Sequence, residues 1–200
     1  MADPPEPAGR PPSALLLAPG AGADRTQPQL VVIDDALTGA GWVVERMDFA
    51  YRRAGRRAPD RAPVLVGAVR DAAADLVERS RVPPDRLVLG GRSMGGRMCS
   101  MAVAEGLPAA GLVLVSYPLH PPGRADKQPE RTRHFATLHL PCLFVSGTRD
   151  PFGTPAELEA ATAAIPGPVE HVWVDGGDHG LRSKDGPVVE GILRWCASGV

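Results

Sequence analysis

The chain is short of aromatic residues (4%) and of cysteine (Cys99, Cys142 and Cys196 only), and neither sign of charge dominates, with 22 basic against 23 acidic side chains. Each shortage excludes something. The cysteines are odd in number, show no C-x-x-C spacing and do not cluster with histidine, so neither a disulfide framework nor a metal site is expected. Reduced core thiols and a cytoplasmic setting follow. A formal charge of −1 provides no global field for nucleic acid or an anionic membrane. No apolar run approaches the ~20 residues that span a bilayer. The first 13 residues carry acids and prolines where a signal peptide needs a basic head and an apolar run, and read as a disordered lead. The remainder, 14–200, is enough for one core and too little for two, so a single domain is expected.

Glycine (23 residues) and proline (22) are plentiful and punctuate short apolar runs. Ala14–Ala18, Gly41–Phe49, Arg86–Gly90, Gly111–Ser116, Cys142–Ser146 and Val169–Val174 read as strands. Helical spacing covers Gln29–Leu37, Val64–Ser80, Met94 to about Glu105, a short piece around Arg133–Leu138, Pro155–Ile165 and Val188–Cys196. Tyr51–Arg61 and Tyr117–Arg131 read as surface loops. Strand and helix alternate, which predicts an α/β fold: a mostly parallel sheet of about six strands with helices on both faces. In such sheets function collects in loops beyond the carboxyl ends of the strands.

Three of those loops carry pointed chemistry. The third strand runs into Gly91-x-Ser93-x-Gly95 and then a helix, the pattern of a nucleophile elbow, where a serine sits on a strained strand-to-helix turn between residues small enough to allow it. The fifth strand ends in Gly147-Thr148-Arg149-Asp150-Pro151, and the sixth in Gly176-Gly177-Asp178-His179-Gly180. A serine hydroxyl is a weak nucleophile until an imidazole accepts its proton, and the imidazole needs a carboxylate on its other nitrogen. Ser93, Asp150 and His179 are therefore the candidate catalytic residues, with Asp178 read as a loop organiser. Oxyanion donors are expected from the N–H of Met94 and, in the glycine-rich loop after the first strand, of Ala21.

With these residues in view the chain resembles an α/β-hydrolase, and more narrowly the compact dienelactone-hydrolase-like group that includes testis-expressed and KANSL-type proteins. The resemblance rests on Pro19–Asp24, Gly91–Arg97, Tyr117–Gly123, Gly147–Gly153 and Gly176–His179. It implies a serine hydrolase of small carboxylic esters or thioesters, without cofactor or large lid. Two departures stand out. Pro19 replaces the histidine usual before the oxyanion glycine, and the nucleophile is serine where dienelactone hydrolase uses cysteine, so that enzyme's own activity is not carried over. A non-catalytic scaffold and an acyltransferase with the same residues are the alternatives. Gly20, Tyr117 and His120 are candidate substrate contacts. Arg52 and Arg53, in the basic run Tyr51–Arg61, are candidates for a rim that attracts anionic substrates.

Overall fold

In the computed structural model, which describes residues 13–199, six strands form one parallel sheet in the order β2-β1-β3-β4-β5-β6. They are β1 (Ala14–Ala18), β2 (Val43–Arg46), β3 (Leu87–Arg92), β4 (Gly111–Val115), β5 (Cys142–Gly147) and β6 (Val169–Val174). The helices are α1 (Pro28–Gly39), α2 (Ala50–Arg53), α3 (Ala62–Ser80), α4 (Met94–Ala104), α5 (Pro129–Thr132), α6 (Pro155–Thr162) and α7 (Asp185–Ala197). Most of the expected lead, residues 1–12, lies outside the described residues. Ser13 belongs to the domain, since its carbonyl accepts the Val43 N–H and its hydroxyl accepts from Arg86.

The inner strands are apolar on both faces because both faces are covered. Leu16, Leu89, Leu114 and Phe144 pack toward α3 and α4. Leu15, Leu17, Val88, Val113, Leu143 and Val145 pack toward α1 and α7. Period-two alternation divides one continuous sheet between two cores. The parallel register aligns Ala18 with Gly91, Arg92 with Val115 and Gly147 with Val174, which brings the carboxyl ends to one edge. The chain goes from β1 to β2 on one side and returns to β3 on the other, so a crevice opens beyond β1 and β3.

Two expectations need correction. The Tyr51–Arg61 segment is not all loop: it begins in α2, and Tyr51 is fully buried, its hydroxyl accepting from the Gly22 N–H. The segment after β4 is not simply a surface loop either. Tyr117, Leu119, Phe135 and Leu138 are buried in the α3/α4 core, because this excursion closes the part of α4 that α3 leaves open. Its helical pieces are single turns, among them α5 and a turn at Phe135–Thr137.

Candidate active site

Ser93 follows β3 and precedes α4 with φ 52° and ψ −117°, a conformation an L-residue adopts only under constraint. Its N–H donates to the Val115 carbonyl at 2.8 Å, which locks the turn to β4. The flanking glycines are required by close approach. A Cβ on Gly91 would overlap the Ala18 carbonyl oxygen, and one on Gly95 would overlap that oxygen and stand 2.6 Å from the Pro19 carbonyl oxygen. The elbow and the loop after β1 are therefore in direct backbone contact.

The other two loops deliver their side chains to the same point. Ser93 Oγ lies 2.9 Å from His179 Nε2, and His179 Nδ1 lies 2.8 and 3.1 Å from the two carboxylate oxygens of Asp150. The Asp150 side chain is only 2% exposed and that of His179 is 17% exposed. Asp150 Oδ1 also accepts the Phe152 N–H, and the Phe152 ring stacks on the imidazole with centroids 4.0 Å apart. The acid and histidine loops are stitched together: Gly176 N–H donates to Thr148 Oγ1, and Arg149 N–H to the Gly177 carbonyl. Asp178, the expected loop organiser, accepts the N–H groups of Gly180 and Leu181 at 2.8 and 3.0 Å.

Residues 11–189 match the alpha/beta hydrolase domain family. The chain belongs to that family. The chain superposes on dienelactone hydrolase from Anabaena variabilis with a TM-score of 0.69 and 21% identity, covering 94% of this chain and 85% of that one. For Est1E from Butyrivibrio proteoclasticus the TM-score is 0.75 at 14% identity, with 94% and 88% covered. A 73-residue stretch, 35% of the chain, is 34% identical to epoxide hydrolase A of Mycobacterium tuberculosis and spans 23% of that protein's length. These two structural likenesses, at 21% and 14% identity, concern the fold.

Around Ser93 the structure treats the remaining candidates differently. Among the described residues, neither the Met94 N–H at the start of α4 nor the Ala21 N–H donates to a protein acceptor. The Gly20 N–H, by contrast, donates to Gln27 Oε1 at 2.9 Å, so it is not available to a substrate. Tyr117 is a core residue rather than a wall of the site: it packs against Phe135 and Phe144, and its hydroxyl donates to the Arg131 carbonyl. Burial pushes that phenol above the usual tyrosine range. His120 is buried, with Nδ1 on the Pro121 carbonyl and its backbone N–H on the Phe152 carbonyl, so it braces the acid loop. Arg52 pairs with Asp24 at 3.3 Å and Arg53 donates to the Asp48 carbonyl, so both guanidinium groups are engaged within the protein. Among the described residues, none of their hydrogen bonds or ion pairs involves Ser93, Asp150 or His179.

Among the described residues no helix is long and apolar enough to cross a membrane, and no His, Cys, Asp and Glu residues gather as metal ligands would. The three cysteines are free and buried. Sequence reasoning missed three residues beside the cluster: Phe152, which stacks on His179, and Arg92 and Gln29, which bond to each other and to carbonyls of the histidine loop. Phe152 follows Asp150-Pro151 directly, but its stacking on His179 joins two separate loops and depends on the tertiary fold. Arg92 fills the variable position before Ser93 in the elbow motif and Gln29 opens a helical run, and no local pattern links the two. Burial holds the Arg92 guanidinium below the usual arginine range, against the pull of the Asp150 and Asp178 carboxylates.

Proposed function

We propose that the protein is a serine hydrolase that cleaves small carboxylic esters or thioesters through an acyl-enzyme intermediate. The observation that carries the reading is the unbroken chain Ser93 Oγ–His179 Nε2 and His179 Nδ1–Asp150 at 2.9 and 2.8 Å. Ser93 Oγ attacks the carbonyl carbon while His179 Nε2 takes its proton. Asp150 accepts the Nδ1–H, fixing the tautomer and stabilising the imidazolium that forms. The Met94 and Ala21 N–H groups, both without an acceptor among the described residues, donate to the developing oxyanion. Collapse breaks the ester or thioester bond, and His179 hands its proton to the departing alcohol or thiol. Water, deprotonated by the same imidazole, then releases the carboxylic acid. None of these steps calls on a cofactor. The substrate is a small molecule, and the three buried, unpaired thiols support a cytoplasmic setting.

The test is labelling of the purified protein with a fluorophosphonate, together with turnover of a p-nitrophenyl ester panel of graded acyl length. Wild type should label at Ser93 and hydrolyse short esters, and Ser93→Ala should do neither. A wild-type protein that neither labels nor turns over would move the chain to the scaffold class. Product transferred to an added alcohol in preference to water would make it an acyltransferase.

A further inference from the structure

The histidine loop is held by more than its own turn. Three consecutive carbonyls of that loop are taken by two side chains: the His179 carbonyl by Arg92 Nη2, and those of Gly180 and Leu181 by Gln29 Nε2 at 3.1 and 3.4 Å. The two side chains are themselves joined, Arg92 Nε donating to Gln29 Oε1 at 2.7 Å. Gln29 is buried in the first turn of α1, and Arg92 is the residue before the nucleophile. One connected unit therefore links the elbow, α1 and the loop that carries the base.

We propose that Arg92 and Gln29 are positioning residues, a clamp that fixes the backbone of residues 179–181 so that the imidazole of His179 stays aligned between Ser93 and Asp150. The proposal rests on the reading of His179 as the base. The loop needs such a restraint, because Leu181 (φ 47°) and Ser183 (φ 59°) are both held in the left-handed region without being glycine. Asp178 restrains the loop from its N–H side, and the clamp restrains it from its carbonyl side. A guanidinium is expensive to bury, and the nearest acceptors of Arg92 are neutral. Its fork geometry explains the choice: it reaches Gln29 and His179 simultaneously, which an ammonium cannot do as a rigid unit.

The clamp also has an access route. A cavity of about 430 Å³ lined by Gln27, Gln29, Arg92, Leu181, Arg182 and Asp185 lies on the α1/α7 side of the sheet, behind the histidine loop. None of the three proposed catalytic residues lines it. This permits chemical rescue. Arg92→Ala should lower kcat ~10–100-fold with KM unchanged, since the defect is alignment and not substrate binding. Added methylguanidinium should restore kcat and methylammonium should not. Gln29→Met, similar in length and without either hydrogen-bonding group, should lower kcat in the same way, and the double variant should be no worse than the weaker single variant, as for one connected unit.

Arg182→Ala, which removes a charge from the same cavity and no bond to the loop, should leave kcat unchanged. If Arg92→Ala does not fold, the split between kcat and KM in Gln29→Met decides. Wild-type kcat in a folded Arg92→Ala or Gln29→Met, failure of methylguanidinium to rescue a folded Arg92→Ala, or an equal loss in Arg182→Ala would overturn the clamp. A wild-type protein that fails to label at Ser93 overturns the hydrolase reading and the clamp with it, so the wild-type lane separates that failure from one seen only in the variants.

Discussion

Gly95→Ala should disable the site while leaving the triad side chains intact. The added Cβ would overlap the Ala18 carbonyl oxygen and fall 2.6 Å from that of Pro19, and neither obstacle is a flexible side chain. Ordinary carbon contacts begin near ~3.5 Å, so the end of β1 with the loop after it and the start of α4 must part by at least about 1 Å. Overpacking of this kind costs ~1–3 kcal/mol, which for a chain of this size lowers Tm by roughly 2–12 °C. The functional loss should be larger. Ala21 and Met94 sit on the two segments being driven apart, and misplacing one oxyanion donor by that distance costs ~10²–10³-fold in kcat. The assay is p-nitrophenyl acetate hydrolysis beside thermal unfolding. Gly67→Ala is the control: it lies inside α3 with nothing within 4 Å of the added methyl, and it should gain ~0.5–1 kcal/mol with unchanged kinetics. A Gly95→Ala protein that unfolds earlier yet keeps wild-type kcat would refute the assignment of the β1 loop to the oxyanion site.

Asp150→Asn should lower kcat by ~10³–10⁴-fold in the ester assay, because an amide cannot hold the imidazole in the required tautomer; a loss under tenfold would remove Asp150 from the triad. Burial pushes the thiols of Cys99, Cys142 and Cys196 up to about 12, so a thiol-directed alkylating agent should leave activity untouched, and inhibition at a rate above that of global unfolding would contradict this. Burial lowers His134 to about 4 against 6.5 when unfolded, so the unfolded chain binds the extra proton first. Its contribution is complete above pH 6.5 and is lost as pH falls from 6.5 to about 4, costing about 3 kcal/mol in all. Urea titrations at both ends of that window should show a smaller acid loss for His134→Gln, and an equal loss would refute it. Because Arg52 and Arg56 already pair with Asp24 and Asp60, replacing Arg52, Arg53, Arg56 and Arg57 together should change KM for acidic and neutral esters alike. A selective rise for acidic esters would restore the anionic rim.

The sequence by itself determined the class of the fold and the loops that carry the candidate site. Apolar runs such as Ala14–Ala18 and Gly111–Val115 must be buried on both faces, helical spacing between them demands crossovers, and a parallel sheet with its loops at one edge is the consequence. Gly91-x-Ser93-x-Gly95, Asp150 and His179 were legible because elbow sterics and acid–base chemistry restrict the residue types. What touches what was decided only by the tertiary structure. Tyr117 and Arg52 have side chains suited to a ligand, but the fold spends the one in a core and the other on Asp24. Gln29 and Arg92 lie 63 positions apart and meet only because β3 pairs beside β1 while α1 packs over that edge of the sheet. Local pattern encodes periodicity and turn chemistry; a contact between distant side chains depends on register and packing, which no local window of sequence contains.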